Sequence, residues 1–360
     1  MDKVKSVLQK NKKWGILLGI VAFFCAVFTL NTSVSKTAIK EVKQSSNKEQ
    51  VQKVWDKYIN DIDSKNGQEK LIKAVKEKLA KMDLSDEEIK QWHTQFKAFS
   101  DEKPSLNIII IPDLSHRIQQ IPHTEKYDKE LISEVYRLFF QKAKSHKSID
   151  KLVVEVTDNS QANGLFGKIA ENLTIDMTDK ENNETSKKYL KSKEQSFTQN
   201  INALYAEAMK QTSGADYVYY FNRIAPSRVK KSDIHTEYIN KIIILTDGYL
   251  ETNDKTYTFT KGALENTLKL AVQNGNIEDI MRENDLALPK SRSTLPNTEV
   301  LVLEVTERKN GIMWHKEVLT QYWKDWFKSM NIKNINNDNF FQLHNNNVNE
   351  TKKLIKDFLK

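Results

Sequence analysis

Cysteine is almost missing from this chain: Cys25 is the only one in 360 residues. Everything after it therefore lacks a disulfide, a thiol nucleophile and a thiolate metal ligand. Residues 32–360 must be stable without cross-links, which a hydrophobic content of 39% allows for a domain of this size. The glycine patterns of common active sites are also absent. There is no Gly-x-x-x-x-Gly-Lys phosphate loop and no Gly-x-Ser-x-Gly elbow. His116 and His123 flank one loop, with His235 and His315 elsewhere, and none of these makes a His-x-x-x-His zinc pair. A single sign of charge is lacking too, since 56 Lys and Arg face 48 Asp and Glu for a net charge of +8. With lysines scattered and no arginine-rich stripe among aromatics, nucleic acid is not the expected partner. No motif points to a small-molecule substrate.

What is present begins with an uncharged run, 14-WGILLGIVAFFCAVFTL-30, preceded by Lys3, Lys5, Lys10, Lys12 and Lys13. At 1.5 Å per residue such a run reaches roughly 25 Å, enough for a thin hydrocarbon core. The lysine bias predicts a basic cytoplasmic tail over 1–13 and a single-pass anchor over 14–31. The N-terminus would then be cytoplasmic, with the main domain on the far side of the cytoplasmic (inner) membrane. A cleaved signal peptide is the alternative, with 33-SVS-35 as its only small-residue cleavage context. Lipidation at Cys25 does not fit, because Phe23 and Phe24 precede it where small residues are needed.

Residues 32–103 read as a polar tether and a helical stalk. Val51, Val54, Trp55 and Tyr58 share one face, as do Leu71, Ile72, Val75 and Leu79. Ser85 and Glu88 form a capping-box pair, so a helix should start at Ser85, carrying Ile89, Trp92 and Phe96 on one side. These apolar faces could meet one another, the main domain or a partner subunit.

From residue 104 to 360, apolar strands alternate with helices. Strands are expected at 106–111, 151–157, 242–246, 299–305 and 340–343. Helices are expected at 128–144, after Thr198, and at 262–273, 315–329 and 348–359. The stretch 159–197 is poorly patterned, and 217–221 fits either a short strand or a helical turn. The alternation implies an α/β fold, a doubly wound and mainly parallel sheet flanked by helices. In such sheets the functional crevice lies beyond the carboxyl ends of the strands, where Asp113 and Asp247 both fall. Glu155 and Glu304 interrupt otherwise apolar strands, placed either at wet strand ends or at this crevice. The helix 314-WHKEVLTQYWKDWF-327 carries more aromatics than one buried face needs, so it is either core or a partner-docking surface.

Three segments, 113-DLSHR-117, 197-FTQNINAL-204 and 246-TDG-248, occur in the order found in one known fold. On them, residues 104–360 resemble the von Willebrand factor A (VWA) domain family. That family binds a cation with an Asp-x-Ser-x-Ser loop, a threonine before a middle helix, and the Asp of a TDG turn. The resemblance implies Asp113, Ser115, Thr198 and Asp247 as oxygen ligands for Mg²⁺ or Mn²⁺, with a partner protein's carboxylate filling an open position. Such a site binds rather than hydrolyses.

Arg117 departs from the pattern, standing where the family has its second serine. Guanidinium has no acceptor and keeps its charge, so it cannot ligate a cation. It could point away and leave a water-completed site. It could instead sit between Asp113 and Asp247 in the metal's place. In a third arrangement Asp113 and Ser115 only cap the local backbone. The functions that follow are a membrane-anchored protein-binding or scaffolding module with a cation-dependent site, or a metal-free structural subunit of a membrane complex. A hydrolase using the same carboxylates lacks a nucleophile–base pair in the sequence.

Overall fold

The computed structural model describes residues 34–145, 150–210, 215–250, 263–284, 288, 290–291, 293–307, 314–336 and 338–360. The basic tail and the proposed anchor at 14–31 lie outside them. Among the described residues, no helix is long and apolar enough to cross a membrane. The chain divides into two compact units. Residues up to Pro104 form one, joined by Ser232–Glu237, and Ser105–Lys231 with Tyr238–Lys360 form the other.

The first unit is helical. A helix over 34–44 (α1) is followed by α2 (Lys48–Tyr58), α3 (Lys65–Leu79) and α4 (Asp86–Lys97). Each of the last three starts on a side-chain cap, from Asn47, Ser64 and Ser85, and the Ser85–Glu88 capping box is formed. Of the three roles open to the apolar faces, pairing with one another is the one seen. Trp55 meets the edges of Trp92, Phe96 and Phe99 at centroid distances of 5.9, 5.5 and 5.7 Å, over buried Val51, Leu71, Ile72, Val75 and Leu79. Ser232–Glu237 completes this core from far along the chain. Ile234 is buried in it, the His93 ring contacts the Asp233 carbonyl at 2.6 Å, and Lys97 pairs with Glu237 at 2.6 Å.

In the second unit the elements run β1 (Ser105–Pro112), α5 (Arg117–Gln120), α6 (Thr124–Ser145), β2 (Lys151–Val154), α7 (Asn159–Ala162) and α8 (Leu165–Leu173). Then come β3 (Ile175–Asp176), α9 (Lys180–Glu184), α10 (Ser186–Lys210), α11 (Tyr217–Tyr219) and a π-helical stretch, Tyr220–Ile224. They end with α12 (Ala225–Arg228), β4 (Tyr238–Leu245), α13 (Ala263–Asn274), α14 (Ile277–Glu283), β5 (Thr298–Val305), α15 (His315–Ser329), β6 (Phe341–Leu343) and α16 (Val348–Phe358). The six strands form one sheet in the order β3-β2-β1-β4-β5-β6, parallel throughout except for β3. This is the mixed α/β, mainly parallel architecture with flanking helices that the alternation implied.

Central β1 shows why its sequence is so apolar. Leu106, Ile108 and Ile110 face one core with Ile243, Leu245, Leu301 and Leu303, under side chains of α6, α8, α10 and α16. Ile109 and Ile111 face the other with Ile242, Ile244, Val300 and Val302, under α13, α14 and α15. Burying each isoleucine contributes roughly 1.5–3 kcal/mol. At the amino end of the pair, Asn107 and Asn240 are aligned neighbours joined by an Nδ2–H···Oδ1 bond of 2.8 Å.

One expectation is corrected here. The helix expected to begin after Thr198 starts at Ser186, so the poorly patterned stretch contains α7, α8, β3, α9 and the first turns of α10. Of the two readings of the aromatic helix, core is the one its bulky rings follow. Trp323, Trp326 and Phe327 are 0–1% exposed, and Phe221, Phe340 and Tyr217 pack their edges against them. The π-helical turn at 220–224 supplies the second aromatic layer that three bulky rings on one helix require.

Ile234→Ala should destabilise the helical unit by about 2–5 kcal/mol, because it empties a buried site far from either chain end. Urea denaturation followed by tryptophan emission measures this; an unchanged midpoint would show that the loop does not support that core.

Candidate functional site

At the carboxyl edge of the sheet, β1 runs into the loop bearing Asp113, Ser115 and Arg117. Next to it, β4 runs into Thr246, Asp247 and Gly248. A backbone bond holds the two exits together, Asp113 N–H donating to the Leu245 carbonyl at 2.8 Å, and Thr246 N–H ties the β4 exit to β5 through the Leu303 carbonyl at 3.0 Å. Asp113 is buried. Its Oδ1 accepts from Ser115 N–H at 3.0 Å and its Oδ2 from the Thr246 hydroxyl at 2.8 Å. The Ser115 hydroxyl accepts from Arg117 N–H at 3.4 Å, opening the single turn of α5.

The Arg117 side chain turns inward and is 2% exposed. Its Nε donates to the Asp113 carbonyl at 3.1 Å and lies 3.7 Å from the Asp113 carboxylate. Its Nη2 donates to the Leu245 carbonyl at 2.9 Å and to Asp128 Oδ2 at 2.5 Å. Asp128, in the first turns of α6, also accepts from the Tyr205 hydroxyl of α10 at 2.9 Å. The guanidinium thus bridges Asp113 and Asp128, where the sequence had suggested Asp113 and Asp247. Asp247, after the end of β4, is buried and serves its own turn. Its Oδ1 accepts from Tyr249 N–H at 3.2 Å and its carbonyl from Thr306 N–H at 3.3 Å. Gly248 adopts φ +90°, and a Cβ there would meet Val305 and Phe341 at 3.0 and 3.2 Å. Its carbonyl accepts from Trp323 Nε1 at 2.8 Å, which ties the TDG turn to α15.

Burial is the largest influence on the Asp128 carboxyl and pushes it up to about 7, against the opposing pull of Arg117 and Tyr205. Burial also works against the Arg117 charge, but Asp128 and Asp113 outweigh it and the guanidinium is held more firmly protonated than usual. One guanidinium against two carboxyls is nearest to neutral when one carboxyl keeps its proton. Burial keeps the Tyr205 and Tyr217 phenols protonated far into the alkaline range, so Tyr205 remains a donor.

These residues do not fit a divalent cation as folded. A fixed positive charge already faces Asp113, whose oxygens are taken by Thr246 and Ser115. Thr198 is exposed in the middle of α10, lining a shallow groove with Lys129, Glu130, Ser133 and Lys352, and is not among the buried groups around Asp113. Among the described residues, no three His, Cys, Asp or Glu side chains gather as a metal-holding group. His116 and His123 are exposed, while His315 is buried with Nδ1 2.6 Å from the Tyr249 hydroxyl. The two odd strand glutamates are at this edge and not at wet ends. Glu155 is buried against Arg228 at 2.7 Å, and burial raises its carboxyl although the arginine opposes this. Glu304 is buried against His344.

Sequence reasoning found Asp113, Ser115, Arg117 and Asp247 but missed Asp128, Thr246, Tyr205 and Tyr217. Asp128 left a signal: it falls on the Leu131–Val135 stripe of α6, where a carboxylate needs a partner.

Arg117→Met should cost about 3–5 kcal/mol, since it strands two buried carboxyls without their cation. Asp128 contributes to the pH profile. With its folded value raised from 3.8 to about 7, the folded state binds the extra proton between those limits, so unfolding free energy falls as pH climbs through that window. The loss amounts to about 4 kcal/mol at most. Denaturation between pH 4 and 8 should show it in the parent and a flatter profile in Asp128→Asn; identical slopes would contradict this assignment.

Neither a family model nor a curated protein sequence matches the chain. Among solved structures it is similar to two of the pilus adhesin SpaC from Lactobacillus rhamnosus GG, one of them in an open conformation. Both are 12% identical, with TM-scores of 0.34 and 0.33, covering 72% of this chain. The chain spans 31% of the length of that adhesin chain.

Proposed function

We propose that this chain is a membrane-tethered, non-enzymatic protein-binding module in which Arg117 does permanently what a bound cation does in a VWA-type site. The observation that carries the reading is the guanidinium bridging Asp113 and Asp128 with both Leu245 and Asp113 carbonyls as further acceptors. A cation at this edge would neutralise Asp113 and hold the β1 and β4 exits together, and Arg117 does both. The carboxyls that a hydrolytic mechanism would use are engaged by Arg117, Thr246, Ser115 and Tyr205, leaving no base poised against a nucleophile. On this reading the anchor at 14–31 places the module outside the cytoplasmic membrane, and its partner is a protein that binds without Mg²⁺ or Mn²⁺.

Calorimetry of the full chain with Mg²⁺ and Mn²⁺, beside Arg117→Ser, tests the proposal. The parent should give no binding heat, and the serine variant should take up a cation through Asp113 and its neighbours. Cation binding by the parent that Asp113→Ala abolishes would restore the cation-dependent site and overturn the arginine reading.

A further inference from the structure

A second charged pair sits on the last strands of the sheet, within the electrostatic reach of Asp128. Along the β5–β6 ladder, Val302 is paired with Phe341 and Val305 with Leu343, so three steps on β5 match two on β6. This is a β-bulge, and Glu304 lies inside it at φ +67°. Glycine adopts that conformation freely; glutamate does not. The bulge turns the Glu304 side chain inward, where it is buried and hydrogen-bonded to His344 Nδ1. His344 follows β6 directly. Its N–H donates to the Val305 carbonyl at 2.8 Å, and its ring meets Tyr127 of α6 edge-on at a centroid distance of 4.7 Å. The Thr306 hydroxyl donates to the Glu304 carbonyl at 3.1 Å and closes the far side of the bulge.

We propose that Glu304 and His344 form a proton-operated latch on the β5–β6 edge. The imidazolium holds the carboxylate inside the strained bulge, and loss of its proton loosens the edge. The groups that face His344 are Glu304 from β5, Tyr127 and Asp128 from α6, and Asn346 from the segment after β6. The hydrogen bond to Glu304 is the largest influence and raises the His344 pKa above 6.5; burial opposes it, and Asn346 and Asp128 add to the rise. A folded value above the ordinary one means that the latch is fully engaged below about 6.5 and is lost as pH rises through the higher folded value. A neutral ring with its proton on Nδ1 still donates to Glu304, but without charge assistance that bond is roughly half as strong. The strain at Glu304 is then opposed by a weaker partner. Because the latch is made within the chain, it does not depend on what the module binds.

The test is an NMR titration of the full chain, with the His344 ring signal assigned by its loss in His344→Gln, together with amide exchange at Val305 and His344. In the parent, His344 should titrate above 6.5, and Glu304→Gln should bring it back toward that value. Protection of the His344 amide, corrected for intrinsic exchange, should drop several-fold as pH rises through the titration. Glu304→Gly suits the bulge conformation but removes the carboxylate, so its protection should not follow pH. Titration at or below 6.5 in the parent, or no movement in Glu304→Gln, would overturn the proposal. So would equal pH dependence of protection in the parent and Glu304→Gly.

Discussion

A guanidinium that cannot give up its proton is expensive to bury, and the carboxyl edge of this sheet is organised around that cost. Desolvating such a charge costs several kcal/mol unless acceptors surround it. Arg117 finds two carbonyls and two carboxyls, drawn from the end of β1, the end of β4 and the start of α6. Tyr205 then ties α10 to the same Asp128 oxygen. Four elements are thus positioned by one side chain. None can shift without leaving a buried charge short of a partner, a larger penalty than the loss of any single apolar contact nearby.

The amino end of the same strand pair is pinned differently. Asn107 and Asn240 face one another across β1 and β4, and Asn240 also donates to the Lys230 and Pro296 carbonyls at 3.1 Å. Between these polar fixtures lie runs of isoleucine that pack well in either of two registers, because both faces of the sheet are apolar. Hydrophobic burial alone specifies register weakly when a strand is buried on both sides. The paired asparagines at one end and the arginine at the other supply the missing specificity, since a one-residue slip would separate Asn107 from Asn240 and Arg117 from its acceptors.

Much of this was readable in the sequence, and what was not has identifiable causes. Apolar strands ending in Asp113 and Asp247 announced a parallel sheet with a polar edge, and Ser85 with Glu88 announced a helix start. Arg117 stood out because arginine cannot fill a ligand position. Its true partner did not stand out, because Asp128 sits in the opening turns of a helix whose apolar stripe is legible only from Leu131 onward. Thr198 was placed before a helix because the preceding lysine- and asparagine-rich stretch has little periodicity; tertiary packing of Leu190, Phe197 and Ile201 extends α10 back to Ser186 regardless. The aromatic helix exceeded what one face needs only while the π-helical turn opposite it was unforeseen. Glu304 was legible as an anomaly, but its partner lies 40 positions away, just past a three-residue strand whose pattern says nothing about the residue that follows it.

A cation borne by the chain behaves differently from a bound one in a way that matters for regulation. A dissociable ion lets its concentration set the state of a site, whereas Arg117 is present at fixed stoichiometry and stays charged at any physiological pH. On the arginine reading the remaining variable at this edge is the proton, and Asp128 and His344 are two of the groups that respond to it. Asp128 gains its negative charge near neutrality, and His344 loses its positive charge above 6.5. Both changes leave the edge more negative as pH rises, and His344 lies in the field of Asp128. The two titrations are therefore coupled: a proton leaving His344 makes ionisation of Asp128 harder, which broadens the response over more than one pH unit rather than sharpening it.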